Sequence, residues 1–193
     1  MKIIFPLAAV LLCIAACNNA GAPDEVIADK TAFAAQRFFP VTAYIKGEIY
    51  NMKKAGINPL RYTTQDGRTD SVWLKIEEID GAVSEFLHPE IDSMNLTGLF
   101  TEKSFLDQSI NAYTLTYDPI AGLPDSMQLK HWDVYIEPEK NTVKRVYLLK
   151  EISKSKTLQL TWVNKEWCKI VSIITDETGN SKIEKEEKLY WGF

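Results

Sequence analysis

Cysteine and histidine are scarce in this chain, with three thiols and two imidazoles among 193 residues. That is a thin stock for a transition-metal site, and the sequence predicts neither a metal nor a cofactor. Basic tracts are missing too. The chain has 22 Lys and Arg against 26 Asp and Glu, a mildly acidic balance that argues against nucleic acid or anionic headgroups as the main partner. Beyond residue 16 no apolar run reaches membrane-spanning length. No segment carries a catalytic or cofactor signature, so function has to be sought in architecture and a few side-chain constellations.

What is present starts at the N-terminus. Met1-Lys2 gives a short positive start and Ile3 to Ala16 an unbroken apolar run, too short for a stable membrane span and suited to a secretory leader. It ends Ile14-Ala15-Ala16-Cys17, which resembles the lipobox of bacterial lipoproteins. The resemblance implies cleavage before Cys17, diacylglycerol on the Cys17 thiol and often a further acyl chain on the new amino group. Two or three chains anchor far more firmly than one. Residues 1–16 are then a signal peptide, 17–30 a small, polar, flexible tether, and 31–193 a single domain. Removing the first 16 of 193 residues leaves 177, enough to bury a core. With Cys13 discarded and Cys17 lipidated, Cys168 is the one remaining thiol, so no internal disulfide can form and stability must come from packing. Asn18 after the lipid site favours, by the same resemblance, an outer-membrane lipoprotein facing the periplasm or the surface.

Helical signals come first in the domain. A helix is plausible from Asp29, and a better-marked one opens at Pro40, whose fixed φ and missing N–H suit a first helical position. Val41, Tyr44, Ile45, Ile49 and Met52 then share a face, and Gly56 with Pro59 beyond closes the segment. Asp66-Gly67 between β-prone runs at 60–64 and 69–74 predicts a hairpin. Ile76, Ile79, Val83, Phe86 and Leu87 predict a second helix over 75–88, ended by Pro89. The stretch 93–112 has no clean period, with Phe100, Phe105 and Leu106 as its packing residues.

From Tyr113 onward apolar and polar residues alternate in six runs: 113–117, 131–136, 143–150, 157–163, 167–175 and 182–191. Turn-forming residues separate them. If Ile136 stands opposite Val143, then Trp132, Val134, Ile136, Arg145, Tyr147 and Leu149 share one inward face. Lys185 and Glu187 in the last run read as a charged edge that blunts self-association.

Few constellations carry chemistry. His131 and Asp133 point to the same side of one strand, the spacing of a base and its orienting carboxylate, though a solvated strand face has the same pattern. Cys168, at strand spacing with Ile170, reads as a buried structural thiol because no base or electropositive setting accompanies it. Five Trp and eight Tyr are generous for this length and supply faces for core packing or for a ligand. Trp132, Arg145, Tyr147 and Trp162 are the ligand-binding candidates, with Arg145 stacked on rings or serving as an anionic hook in an apolar pocket.

The sequence therefore predicts an α+β fold, with N-terminal helices packed on an antiparallel β-meander of about six strands that can curl into a half-barrel. The expected function is that of a non-catalytic envelope lipoprotein binding an apolar ligand or a protein partner through the sheet's aromatic face. The alternative is a hydrolase using His131 and Asp133.

Overall fold

Pro40 precedes the first helix, α1 (Val41–Lys54), in a computed structural model that describes residues 37–120 and 122–192. The leader, the lipobox with Cys17, the tether and the helix expected from Asp29 lie outside the described residues. Lys53 and Lys54 occupy the last turn of α1, where they complement the negative end of the helix dipole. Gly56 follows at φ +67. Its N–H bonds the Lys53 carbonyl, and the Ile57 N–H bonds that of Met52. This pair of bonds satisfies carbonyls that a helix end otherwise leaves orphaned.

The hairpin around Asp66-Gly67 forms as the dipeptide demands, with both residues at positive φ (51 and 74). It joins β1 (Leu60–Gln65) to β2 (Arg68–Trp73). After it come a 3-10 turn at Ile76–Glu78 and two four-residue helices, α2 (Ile79–Ala82) and α3 (Ser84–Leu87). Seven further strands complete the described chain: β3 (Phe100–Asp107), β4 (Ala112–Pro119), β5 (Leu129–Glu137), β6 (Thr142–Ser153), β7 (Lys156–Val163), β8 (Trp167–Thr175) and β9 (Ser181–Tyr190). All nine strands form one sheet in the order β2-β1-β9-β8-β7-β6-β5-β4-β3, and each pairing is antiparallel.

This corrects the expected fold. Among the described residues, helices packed on a six-stranded meander give way to a nine-stranded antiparallel sheet with one helix of ordinary length. Three causes can be named. The 60–73 hairpin joins the same sheet because β1 pairs with β9. The edge strand β3 is hidden in the sequence because only its first residue, Phe100, is buried, while Phe105 and Leu106 are exposed. The second helix breaks at Val83, whose φ −110 and ψ 13 are not helical. The sheet is open, since the terminal strands β2 and β3 do not pair with each other. Strand β9 is interior, so its charges do not blunt an edge. Lys185 and Glu187 pair with each other along the strand at 3.1 Å, and their neighbours Glu184 and Glu186 pair across the sheet with Lys156 at 2.8 Å and Lys169 at 3.5 Å.

One face of the sheet packs against the helices. Val41, Ile45, Ile49 and Met52 of α1 and Phe86 of α3 share a core with Trp132, Val134, Val146, Leu148, Leu160 and Trp162. Rings fill the space between the layers: Tyr117 stacks on Trp132 at 4.4 Å, Phe100 meets Trp132 edge-on at 4.7 Å, and Phe86 meets Trp162 at 5.4 Å. Each large side chain so buried contributes about 1.5–3 kcal/mol. Cys168 lies in this core, and burial pushes its thiol pKa well up, as a structural thiol requires.

Candidate functional site

A bulge just past the β5–β6 turn decides what each face of the sheet carries. Ile136 does stand opposite Val143, but Tyr135 then pairs with Arg145, leaving Lys144 as the extra residue. A one-residue slip sends every later side chain to the opposite face. Val146 and Leu148 therefore join Trp132 and Val134 in the core. Arg145, Tyr147 and Leu149, expected inward, lie half-buried on the other face. The four candidate ligand-binding residues are thus divided: Trp132 and Trp162 are fully buried under the helices, while Arg145 and Tyr147 face away from them. The stacking foreseen for Arg145 is made with Tyr135, whose ring its guanidinium covers at 4.0 Å.

His131 and Asp133 do share a side of their strand, with Nε2 3.1 Å from Asp133 Oδ1. A second carboxylate completes the cluster. Asp118 of β4 places Oδ1 3.0 Å from His131 Nδ1, and Lys103 donates to Asp118 Oδ2 at 3.0 Å. Tyr135 donates its hydroxyl to Asp133 at 3.1 Å. The hydrogen bond to Asp133 raises the His131 pKa against the opposing pull of burial. Burial pushes Asp133 up, but hydrogen bonds from His131 and Thr116 outweigh it and hold the carboxyl below its ordinary value. Asp118 is held down first by the Lys103 hydrogen bond.

That arrangement is an imidazole clamped between two carboxylates, which favour its protonated form. Both ring nitrogens are engaged, so neither stands open to take a proton from a substrate. Among the described residues no Ser, Thr or Cys side chain is hydrogen-bonded to His131, and a nucleophile needs that contact to be activated. No group of three His, Cys, Asp or Glu side chains among the described residues is placed to hold a metal ion.

The face opposite the helices carries a longer feature. Residues opposite one another in an antiparallel ladder share a face, so one row can be followed across the whole sheet. It runs Phe105–Thr114–Tyr135–Arg145–Val163 and on through Trp167–Tyr190–Leu60–Trp73. At about 4.8 Å between strands it is roughly 40 Å long. None of these side chains belongs to the hydrophobic core, and of the row only Thr114 is buried. Phe105 is 50% and Trp73 58% exposed at its two ends. Cations lie on its rings: Arg145 on Tyr135, and Lys188 on Trp167 at 4.7 Å. A notch of about 170 Å³ opens between Ile110, Tyr135, Lys144, Arg145 and Val163.

Sequence reasoning missed Asp118, Tyr135, Trp167, Tyr190 and Trp73 as members of this face. For Trp167 the signal was available, because it alternates with core-facing Cys168 in a strand whose limits the sequence gives. For Asp118 no signal existed, since its contact with His131 depends on how β4 aligns with β5 across the connection 120–128. No protein family, curated protein or solved structure matches this chain.

Proposed function

We propose that this chain is an envelope lipoprotein, anchored through Cys17 at the outer membrane and facing the periplasm or the surface, that binds a protein partner through the open face of its sheet. The row from Phe105 to Trp73 carries this reading. Aromatic side chains and Arg are the residue types that dominate binding energy at protein interfaces, and here five aromatic side chains and Arg145 lie in one row outside the hydrophobic core, with Thr114, Val163 and Leu60 between them. The notch beside Arg145 is of a size to take one apolar anchor side chain. Lys144, Arg145 and Lys188 make no ion pair with a carboxylate among the described residues, so the partner surface that fits is apolar and ringed by Asp and Glu. The apolar-ligand form of the expectation loses its support at the helix-covered core, where rings fill the space between the layers.

A photo-crosslinking residue placed at Trp167 in the full chain should capture one envelope protein in cells. Tyr135→Ala and Arg145→Ala should abolish the crosslink, and Trp162→Phe in the core should leave it intact. Failure to crosslink from Trp167 or Phe105 would sink the docking surface. Loss of acyl labelling in Cys17→Ala checks the anchor separately.

A further inference from the structure

The helix layer does not cover all of the sheet's inner face. Where it stops, a cleft of about 590 Å³ opens between residues 81–85 and strands β1 and β6–β9. Its floor is apolar, with Leu158 and Ile170. Its rim is charged, and the charges cancel in pairs. Lys156 meets Glu184 at 2.8 Å, Lys185 meets Glu187 at 3.1 Å, and Glu85 is bound by Lys150.

Arg61 is the exception. Its side chain projects to the same face as Leu189, its partner in the ladder, and lines the cleft. Its guanidinium makes no hydrogen bond or ion pair with any described residue, and its Nε is buried with no partner. The buried Nε is out of a ligand's reach, so an acceptor in the cleft would meet the two terminal nitrogens of the guanidinium, which no described residue engages. The guanidinium fork fits a carboxylate through two parallel N–H···O bonds.

We propose that this cleft binds a small aliphatic carboxylate, its head on Arg61 and its chain over Leu158 and Ile170. With each lining Glu already neutralised by a Lys, Arg61 supplies the uncompensated positive charge that draws an anion in. The apolar floor selects a chain over a bare ion. This site lies on the face opposite the aromatic row, so it stands or falls independently of the docking surface.

The test uses octanoate below its micelle-forming concentration, titrated calorimetrically into the purified full chain, with octanol and acetate as controls. Octanoate should bind, and octanol and acetate should bind at least about tenfold more weakly, since each lacks one half of the recognition. Arg61→Gln should weaken octanoate by about tenfold or more and leave octanol unchanged. Ser84→Trp, at the exposed rim with Arg61 intact, should block octanoate by filling the cleft. Undetectable octanoate binding to the unmodified chain overturns the proposal, as does equal binding of octanoate and octanol or retention of affinity in Ser84→Trp.

Discussion

Tyr135 and Arg145 face each other across β5 and β6, the guanidinium 4.0 Å above the ring, and they meet because Lys144 is bulged out between Val143 and Arg145. Deleting Lys144 removes the extra residue and forces Val146 and Leu148 toward solvent. Each displaced side chain forfeits about 1.5–3 kcal/mol of burial, so the deletion should lower the urea midpoint drastically or prevent folding. Lys144→Ala keeps the backbone count and loses an exposed hydrogen bond to the Ile110 carbonyl, so it should cost no more than about 0.5 kcal/mol. Equal stability of the deletion and the parent chain would refute this register.

The His131 clamp has a pH signature. The His131 pKa is raised in the folded protein, so its stabilisation is complete below the ordinary histidine value of about 6.5 and is lost as pH rises through the raised folded value. The pKa values of Asp118 and Asp133 are lowered, so their stabilisation is present above about 3.9 and is lost as pH falls through the folded values. The cluster is therefore strongest between about pH 4 and 6.5. The stability difference between the parent chain and His131→Gln, from urea titrations, should peak near pH 5 at about 1 kcal/mol, the scale of a half-exposed ion pair. It should shrink toward pH 9. A difference that grows with pH would mean the imidazole is not held as a cation.

The sequence made the local part of this architecture legible and hid the non-local part. Pro40, Gly56 and Asp66-Gly67 act within a few residues of themselves, and the helix and turn they announce are found where expected. The six runs from Tyr113 onward became strands, and their alternation is clearest in β6 and β7, whose inner faces lie in the core. Strand β3 does not alternate, as its side chains after Phe100 meet mostly water, and periodicity cannot find a strand held by backbone bonds alone. The pairing of β1 with β9, from Gln65↔Lys185 to Leu60↔Tyr190, joins segments far apart in the chain and leaves no local trace. The bulge at Lys144 was as invisible, and it decided the site. Without it, alternation groups Arg145 and Tyr147 with Trp132 on one face, whereas the fold sets them on opposite faces.

That division separates stability from binding. Trp132 is fully buried against Tyr117 and Phe100, so Trp132→Ala should cost about 3–5 kcal/mol. Trp132→Phe should cost clearly less, because the indole Nε1 is buried without a partner and removing that desolvated donor returns part of the lost packing. Trp167→Ala, on the open face, should change stability by less than about 1 kcal/mol. Chemical denaturation followed by circular dichroism orders the three. If Trp167→Ala proves as damaging as Trp132→Ala, the open face is covered and cannot serve as the docking surface.

Lys150 offers the sharpest energetic test, because its side chain is 2% exposed while that of its partner Glu85 is 43% exposed. The ammonium reaches both the Glu85 carboxylate and, at 3.2 Å, the Glu85 backbone carbonyl. It ties α3 to the inner face of β6 beside Leu129 and Leu158. The two sides of this pair are not equivalent. Removing Glu85 strands a charge in the core, and breaking a buried pair in that direction costs about 3–5 kcal/mol. Removing Lys150 leaves a carboxylate that already touches water. Lys150→Met also fills the same space with an unbranched apolar chain, a replacement that is often neutral or stabilising. Glu85→Ala should therefore destabilise the fold by several times more than Lys150→Met when both are unfolded in urea at pH 7. The reverse order would show that Lys150 is held by its surroundings and not by Glu85.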